Sequence, residues 1–209
     1  YGSPIISGDK MFVNGEIDTV SYLFALNING EILWKKAIGR EWVQSYPGAR
    51  STPSIVDSLI YVSAGMGDVK CFNAENGNLI WELNLMDDFG GRLTRFGYSE
   101  SIIPYKDMVF AMPGGEEHNV IALDRFSGEQ IWTSKGVGEI PSYSTPLILE
   151  LENRTLYISF SERHLLGIDA NTGELLWTHE QEGEGDVHVN TPLYDNGNIY
   201  YVAGNGNCG

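Results

Sequence analysis

Apolar and polar positions alternate along this chain in short runs broken by Gly, Asn and Asp. Met11-Phe12-Val13, Ile60-Tyr61-Val62, Leu156-Tyr157-Ile158 and Ile199-Tyr200-Tyr201 are β-branched and aromatic runs between turn residues, the signature of strands. Each follows a Pro-initiated run: Ser3-Pro4-Ile5-Ile6, Thr52-Pro53-Ser54-Ile55, Thr145-Pro146-Leu147-Ile148 and Thr191-Pro192-Leu193-Tyr194. Pro is tolerated there because a strand start can lack an N–H donor. In the remaining copy Ile102 stands where Pro is expected, before Val109-Phe110. No segment sustains a helical period.

A second phrase runs out of phase with the first. It reads Ile168-Asp169-Ala170-Asn171-Thr172-Gly173-Glu174-Leu175-Leu176-Trp177, a strand, an Asx turn with a permissive Gly, and a return strand ending in Trp. Copies end at Trp34, Trp81 and Trp132, each with Gly four residues before the Trp. An anchor repeated at near-constant spacing predicts stacked supersecondary units, each of four short strands. The units span about 3–37, 51–85, 99–135 and 143–180, with a partial fifth over 190–209 in a single domain, 1–209. Four-stranded antiparallel units in radial array make an all-β propeller, and the wide indoles Trp34, Trp81, Trp132 and Trp177 are expected to lie buried between units. A β-sandwich does not account for four copies of one phrase.

Composition narrows the function classes. The formal net charge of −15, from 28 acidic and 13 basic residues, argues against a nucleic-acid or anionic-membrane partner. No apolar run is long enough to cross a membrane. Cys71 occupies the position held by Ala25, Ala122 and Gly167 in the other units and reads as a small core residue. Cys208 lies units away from it in a Gly/Asn-rich stretch, so the two are not expected to pair.

The repeated Asp-x-x-x-Gly-Glu-x-x-Trp phrase, with its Pro strand and Tyr-Val strand, resembles the tryptophan-docking repeat of pyrroloquinoline-quinone-like (PQQ-like) propellers. The resemblance covers the whole chain. That family includes quinoprotein alcohol dehydrogenases, the lipoprotein of the outer-membrane β-barrel assembly machine, and exported bacterial proteins of unassigned activity. Tyr46-Pro47-Gly48-Ala49-Arg50-Ser51-Thr52-Pro53 and Gly65-Met66-Gly67-Asp68 look most like the last group. The resemblance implies an exported protein, periplasmic or outer-membrane-associated, in a bacterium. It also brings in PQQ and calcium as cofactors, although this chain has no adjacent cysteines and no recognisable calcium set. No catalytic residue is carried over. Family propellers have seven or eight blades, which makes this chain an arc of about four and a half blades. Its open ends are expected to be covered by further blades or another chain.

Propeller ligands usually meet the face formed by the connections between units and the links between second and third strands. The first two connections hold Arg40, Arg50, Arg92 and Arg95, with Trp42, Tyr46 and Tyr98 beside them. Arg forks and flat rings suit an anionic or carbohydrate-like ligand. The other reading is salt bridging to Glu41, Asp87, Asp88 and Glu100, with the aromatics plugging the loops. In the fourth connection Asp186 and His188 form either an acid–base or metal-ligating pair or part of a solvated loop. The acidic run before them, and Glu116, Glu117 and His118, lack the register of a known calcium loop. The reading chosen is a non-enzymatic binding scaffold for a protein or a small or glycan ligand. A PQQ-dependent dehydrogenase and a purely structural module are the alternatives.

Overall fold

The structure, a computed structural model, describes residues 1–181 and 187–202. It contains four antiparallel four-stranded meanders. The first is β1 (Ile5–Ser7), β2 (Lys10–Ile17), β3 (Val20–Asn27) and β4 (Ile32–Arg40); the second is β5 (Ser54–Val56), β6 (Leu59–Ser63), β7 (Asp68–Asn73) and β8 (Leu79–Asn84). A one-turn helix, α1 (Leu85–Phe89), follows. The third blade is β9 (Ile103–Tyr105), β10 (Met108–Ala111), β11 (Val120–Asp124) and β12 (Gln130–Ser134). The fourth is β13 (Leu147–Leu151), β14 (Arg154–Phe160), β15 (His164–Asp169) and β16 (Leu175–Glu180), and a hairpin of β17 (Leu193–Asp195) and β18 (Asn198–Tyr200) begins a fifth.

The cores lie between blades rather than within them. Alternation sends Ile60, Val62 and Phe72 towards Phe12, Leu23 and Ala25 of the first blade. The intervening Tyr61, Val69, Cys71 and Trp81 meet Val109, Ala111, Ile121 and Leu123 of the third. Because both faces of a middle blade are covered, β10 is buried at every position. Burying each such aliphatic side chain is worth about 1.5–3 kcal/mol.

The repeated phrase makes the same local structure each time. The Oδ1 of Asp124 accepts the N–H groups of Phe126 and Ser127 at 2.9 and 2.8 Å, and that of Asp169 accepts those of Asn171 and Thr172 at 2.9 and 3.2 Å. The turn glycine then receives the indole of the preceding blade. A Cβ on Gly77, Gly128 or Gly173 would stand 3.0, 2.8 or 2.6 Å from ring carbons of Trp34, Trp81 or Trp132. These glycines have φ of +68°, +76° and +78°, so position and conformation both require Gly. Trp81 Nε1 donates to Arg125 O at 3.0 Å and Trp132 Nε1 to Ala170 O at 3.1 Å. The four indoles, all expected to lie buried between units, differ in burial. Trp81 and Trp132 are buried, whereas Trp34 and Trp177 are half-buried. Trp34 Nε1 lacks a partner, and Trp177 leans onto Gly167 of its own blade, where a Cβ would meet its ring at 2.0 Å. Across from each Trp in register stands a small residue: Ala25, Cys71, Ala122 or Gly167. Burial pushes the Cys71 thiol up to about 12, so it is a filler rather than a nucleophile.

Losing the Asx bonds has a modest, measurable cost. Burial opposes ionisation of Asp124, but bonds from Ser127 and Phe126 hold its carboxyl below the usual range. Asp124→Ala is expected to lose about 1 kcal/mol in chemical denaturation at pH 7, and Asp124→Asn much less. Equal losses from both would remove the turn from the account.

The connections differ from the expected loops in two ways. β4 runs on to Arg40, and α1 occupies the start of the second connection. The Oδ1 of Asn84 caps α1 by accepting the N–H groups of Met86 and Asp87, and Gly90 closes it in the left-handed region. A five-residue helix is too short to show a period. Second-to-third-strand links are long only in the third blade, where they span 112–119; in the first, Asp18 and Thr19 alone make a left-handed turn.

Candidate functional site

Between-blade connections are fastened to the link of the blade that follows. Glu41, buried at the end of the first blade, accepts the N–H groups of Trp42 and Gly65. Burial is the dominant influence on this carboxyl and raises its pKa, and Arg50 3.8 Å away offsets only part of that. Glu139 does the same for the fourth blade, with Ser161 Oγ at 2.6 Å, Arg163 N at 2.9 Å and His164 Nδ1 at 2.8 Å. Arg92 is the clip into the third blade. Its Nε donates to Gly114 O at 2.8 Å and its Nη2 to Gly138 O.

These clips aim the following residues at one place. A cavity of about 440 Å3 is walled by Tyr46, Arg50 and Thr52 from the first connection, Phe96, Ser99 and Ser101 from the second, Tyr143 and Thr145 from the third, and Val187 and Val189 from the fourth, with Tyr1 beside them. The wall is periodic. Thr52, Ser101 and Thr145 each stand two residues before an inner strand, and Arg50, Ser99 and Tyr143 two residues earlier still. In extended chain, residues two apart face the same way. Ser3 N donates to Thr52 Oγ1 at 3.0 Å, and Thr52 N donates to Ser101 Oγ at 3.0 Å. Each hydroxyl that accepts from the preceding blade keeps its own proton to donate.

Phe96 is the hub of the aromatic wall. Its ring centroid lies 5.9 Å from Trp42, 6.5 Å from Tyr46 and 5.9 Å from Tyr143. Its N–H donates to Tyr143 Oη at 3.2 Å. Tyr46 is 73% exposed and has φ of +52°, an uncommon conformation for a large side chain, held by Arg50 Nη2 donating to Tyr46 O at 2.7 Å. The Arg50 guanidinium also lies 5.2 Å over the Trp42 ring.

Of the sequence candidates, Tyr46 and Arg50 line this cavity, with Trp42 buried beneath. Arg95 is outside the lining, 5.1 Å over the Phe96 ring. Arg40 is exposed at the end of β4, away from the lining. Arg92 belongs to a second cavity, about 480 Å3, with Asp88, Phe89 and Glu116–His118. There it binds carbonyls rather than Asp87 or Asp88. Tyr98 is buried, donating to Pro113 O at 2.8 Å, and burial raises its hydroxyl pKa. His188 is buried rather than solvated, stacked on Phe160 at 4.3 Å with Nε2 3.2 Å from Glu162 O. Asp186 and the acidic run before it lie outside the described residues. Phe96 and Tyr143 complete the wall without having been singled out by residue type. Their signal was positional, since Tyr143 sits two before Thr145, itself two before an inner strand.

Glu100, between two lining serines, points away from the cavity. It is buried, accepts from Tyr157 Oη at 3.1 Å and from Met112 N–H, and burial pushes it up to about 8. No helix among the described residues is long and apolar enough to cross a membrane.

Comparison with known proteins places this geometry. An outer membrane protein assembly factor BamB from Yersinia pestis is 25% identical over 211 residues, covering 96% of this chain and 48% of its own length. Methanol dehydrogenase subunit 1 of Methylorubrum extorquens is 26% identical over 157 residues, covering 66% of this chain and 24% of its own. The crystal structure of BamB from Moraxella catarrhalis superposes with a TM-score of 0.62 at 16% identity, over 96% of this chain and 53% of that one. A europium-containing methanol dehydrogenase reaches 0.60 at 11% identity, over 85% of this chain and 41% of that one. The chain thus spans about half the length of the assembly-factor relative it matches, and less of the dehydrogenase. A family model described as outer membrane protein assembly factor BamB matches residues 3–209, and the chain belongs to that family of PQQ-like repeat propellers.

Proposed function

We propose that this chain is a non-enzymatic binding scaffold of a bacterial cell envelope, working in the periplasm or at the outer membrane, whose cavity-bearing loop face receives a protein partner. The observation that carries this reading is the convergence of four successive connections on one aromatic-walled cavity. Scaffolds place recognition residues on loops held by a rigid frame, and the carboxylate and guanidinium clips supply that rigidity. The name of the similar assembly factors favours a protein over a sugar, although the same rings would stack on either.

The reading assigns neither PQQ nor calcium to the cavity. Among the described residues its lining offers no carboxylate for calcium and a single cation for a tricarboxylate quinone. Glu41 and Glu100 are engaged in buried hydrogen bonds. A saturable absorbance change when purified protein is titrated with PQQ and calcium would revive the dehydrogenase alternative.

The direct test is a photo-crosslinking amino acid at Tyr46, with Asn153 in the β13–β14 turn of the fourth blade as control. In cells, position 46 is expected to yield a discrete protein adduct that position 153 does not. Absence of any adduct at 46, or the same adducts at both, would sink the proposal.

A further inference from the structure

Among the described residues, the cavity wall carries one formal charge, Arg50, in a chain of net charge −15. Arg50 Nη2 is used by the carbonyls of Ser45 and Tyr46. Nη1 is buried without a hydrogen bond, since Glu41 stands off at 3.8 Å. Ser99 Oγ, on the same wall, is also buried and unpartnered. The hydroxyls of Thr52 and Ser101 accept from neighbouring strands and have protons to give. The Arg50 side chain and these two hydroxyls bring donors to one cavity, and the cation makes a carboxylate the complementary acceptor. The rest of the wall is flat and apolar: Phe96, Tyr46 and Tyr143, closed by Val187 and Val189. About 440 Å3 is in the range of small-ligand clefts and holds one large side chain with its neighbour. Tyr46, 73% exposed, flanks the mouth, so a chain can lie across it without ending there.

We propose that this cavity takes an aromatic side chain together with an adjacent Asp or Glu carboxylate from an internal segment of the partner protein. The proposal rests on the reading that the loop face binds a protein. The ring inserts against Phe96 and Tyr143, Tyr46 covers it, and the carboxylate meets Arg50 and the hydroxyls.

Calorimetric titration with short peptides capped at both ends tests it. The probes are acetyl-Gly-Phe-Asp-Gly-amide, its Phe-Asn and Ala-Asp analogues, and acetyl-Gly-Phe with a free terminal carboxylate. The Phe-Asp peptide is expected to bind saturably, and the two capped analogues about tenfold more weakly or worse. Tyr46→Ser and Arg50→Gln are each expected to weaken Phe-Asp binding by about tenfold, with Arg154→Gln at the β13–β14 turn unchanged. Arg50 also braces its loop, so Tyr46→Ser, at an exposed position, carries the test if Arg50→Gln melts early. Equal binding of Asp and Asn peptides, preference for the free terminus, or no binding by any peptide overturns the proposal. A specific protein adduct at position 46 together with such a result would leave the scaffold standing and remove only this ligand. Phe-Asp binding without any protein adduct would instead remove the protein partner.

Discussion

Trp132→Ala is expected to lower the unfolding free energy by about 3–5 kcal/mol, and Trp34→Ala clearly less. Trp132 is 7% exposed, sits over Gly173 of the next blade, and donates its Nε1 to Ala170 O. Truncation opens a cavity between Phe110 and the Gly173 turn, and leaves a buried carbonyl without its donor. Neither β12 nor the turn of the fourth blade can collapse into that space without moving its own ladder. Trp34 is half-buried and its Nε1 has no partner, so less is lost with it. Denaturant titration of the two variants side by side decides the matter. Equal destabilisation would mean that the blade-to-blade contact of Trp132 contributes nothing special.

The second large effect is a pH dependence set by Glu100. Its folded pKa of about 8 stands above the ordinary value of 4.5 because burial disfavours the charge more than Tyr157 and Met112 favour it. The native state therefore holds a proton that the unfolded chain has released. The stabilisation is complete below about pH 4.5, declines as pH rises, and is gone above about pH 8. The melting temperature is expected to fall by several degrees between pH 5 and 8.5, and Glu100→Gln, which is neutral throughout, to flatten that fall. Glu41, also raised by burial, contributes in the same direction and accounts for any residual slope. Glu139 works oppositely. Its burial is outweighed by bonds from Ser161, Arg163 and His164, its pKa is lowered, and its contribution disappears as the solution turns acid. An unchanged slope in Glu100→Gln would show that this carboxyl is already ionised in the folded protein.

The blade architecture was legible because its determinants are local and repeated. Asx, Gly and Trp recur at fixed offsets, and each offset is imposed by one turn and one indole contact. The inequality of the four indoles was not legible, since it depends on which neighbour each ring meets. Charge and aromaticity drew attention to Arg92 and Tyr98, but both are spent on carbonyls of the third blade's link. Residue type marks what can bind; only the path of the connection decides which atoms remain to do it. Phe96 and Tyr143 show the converse, rings made into a wall by the position of the following strand rather than by any motif.

The indole contacts of the buried tryptophans all point forward along the chain, from Trp81 to residue 125 and from Trp132 to residue 170. During synthesis, a blade therefore emerges with its indole uncovered and is sealed only when the next Asx turn has left the ribosome or the export channel. The wait is set by one repeat and does not lengthen as more blades are added, so the loop to be closed stays small however long the array. Folding can then advance as a front, each newly made turn locking the blade behind it. A translational pause placed just after a Trp codon would hold that front open at its most aggregation-prone moment.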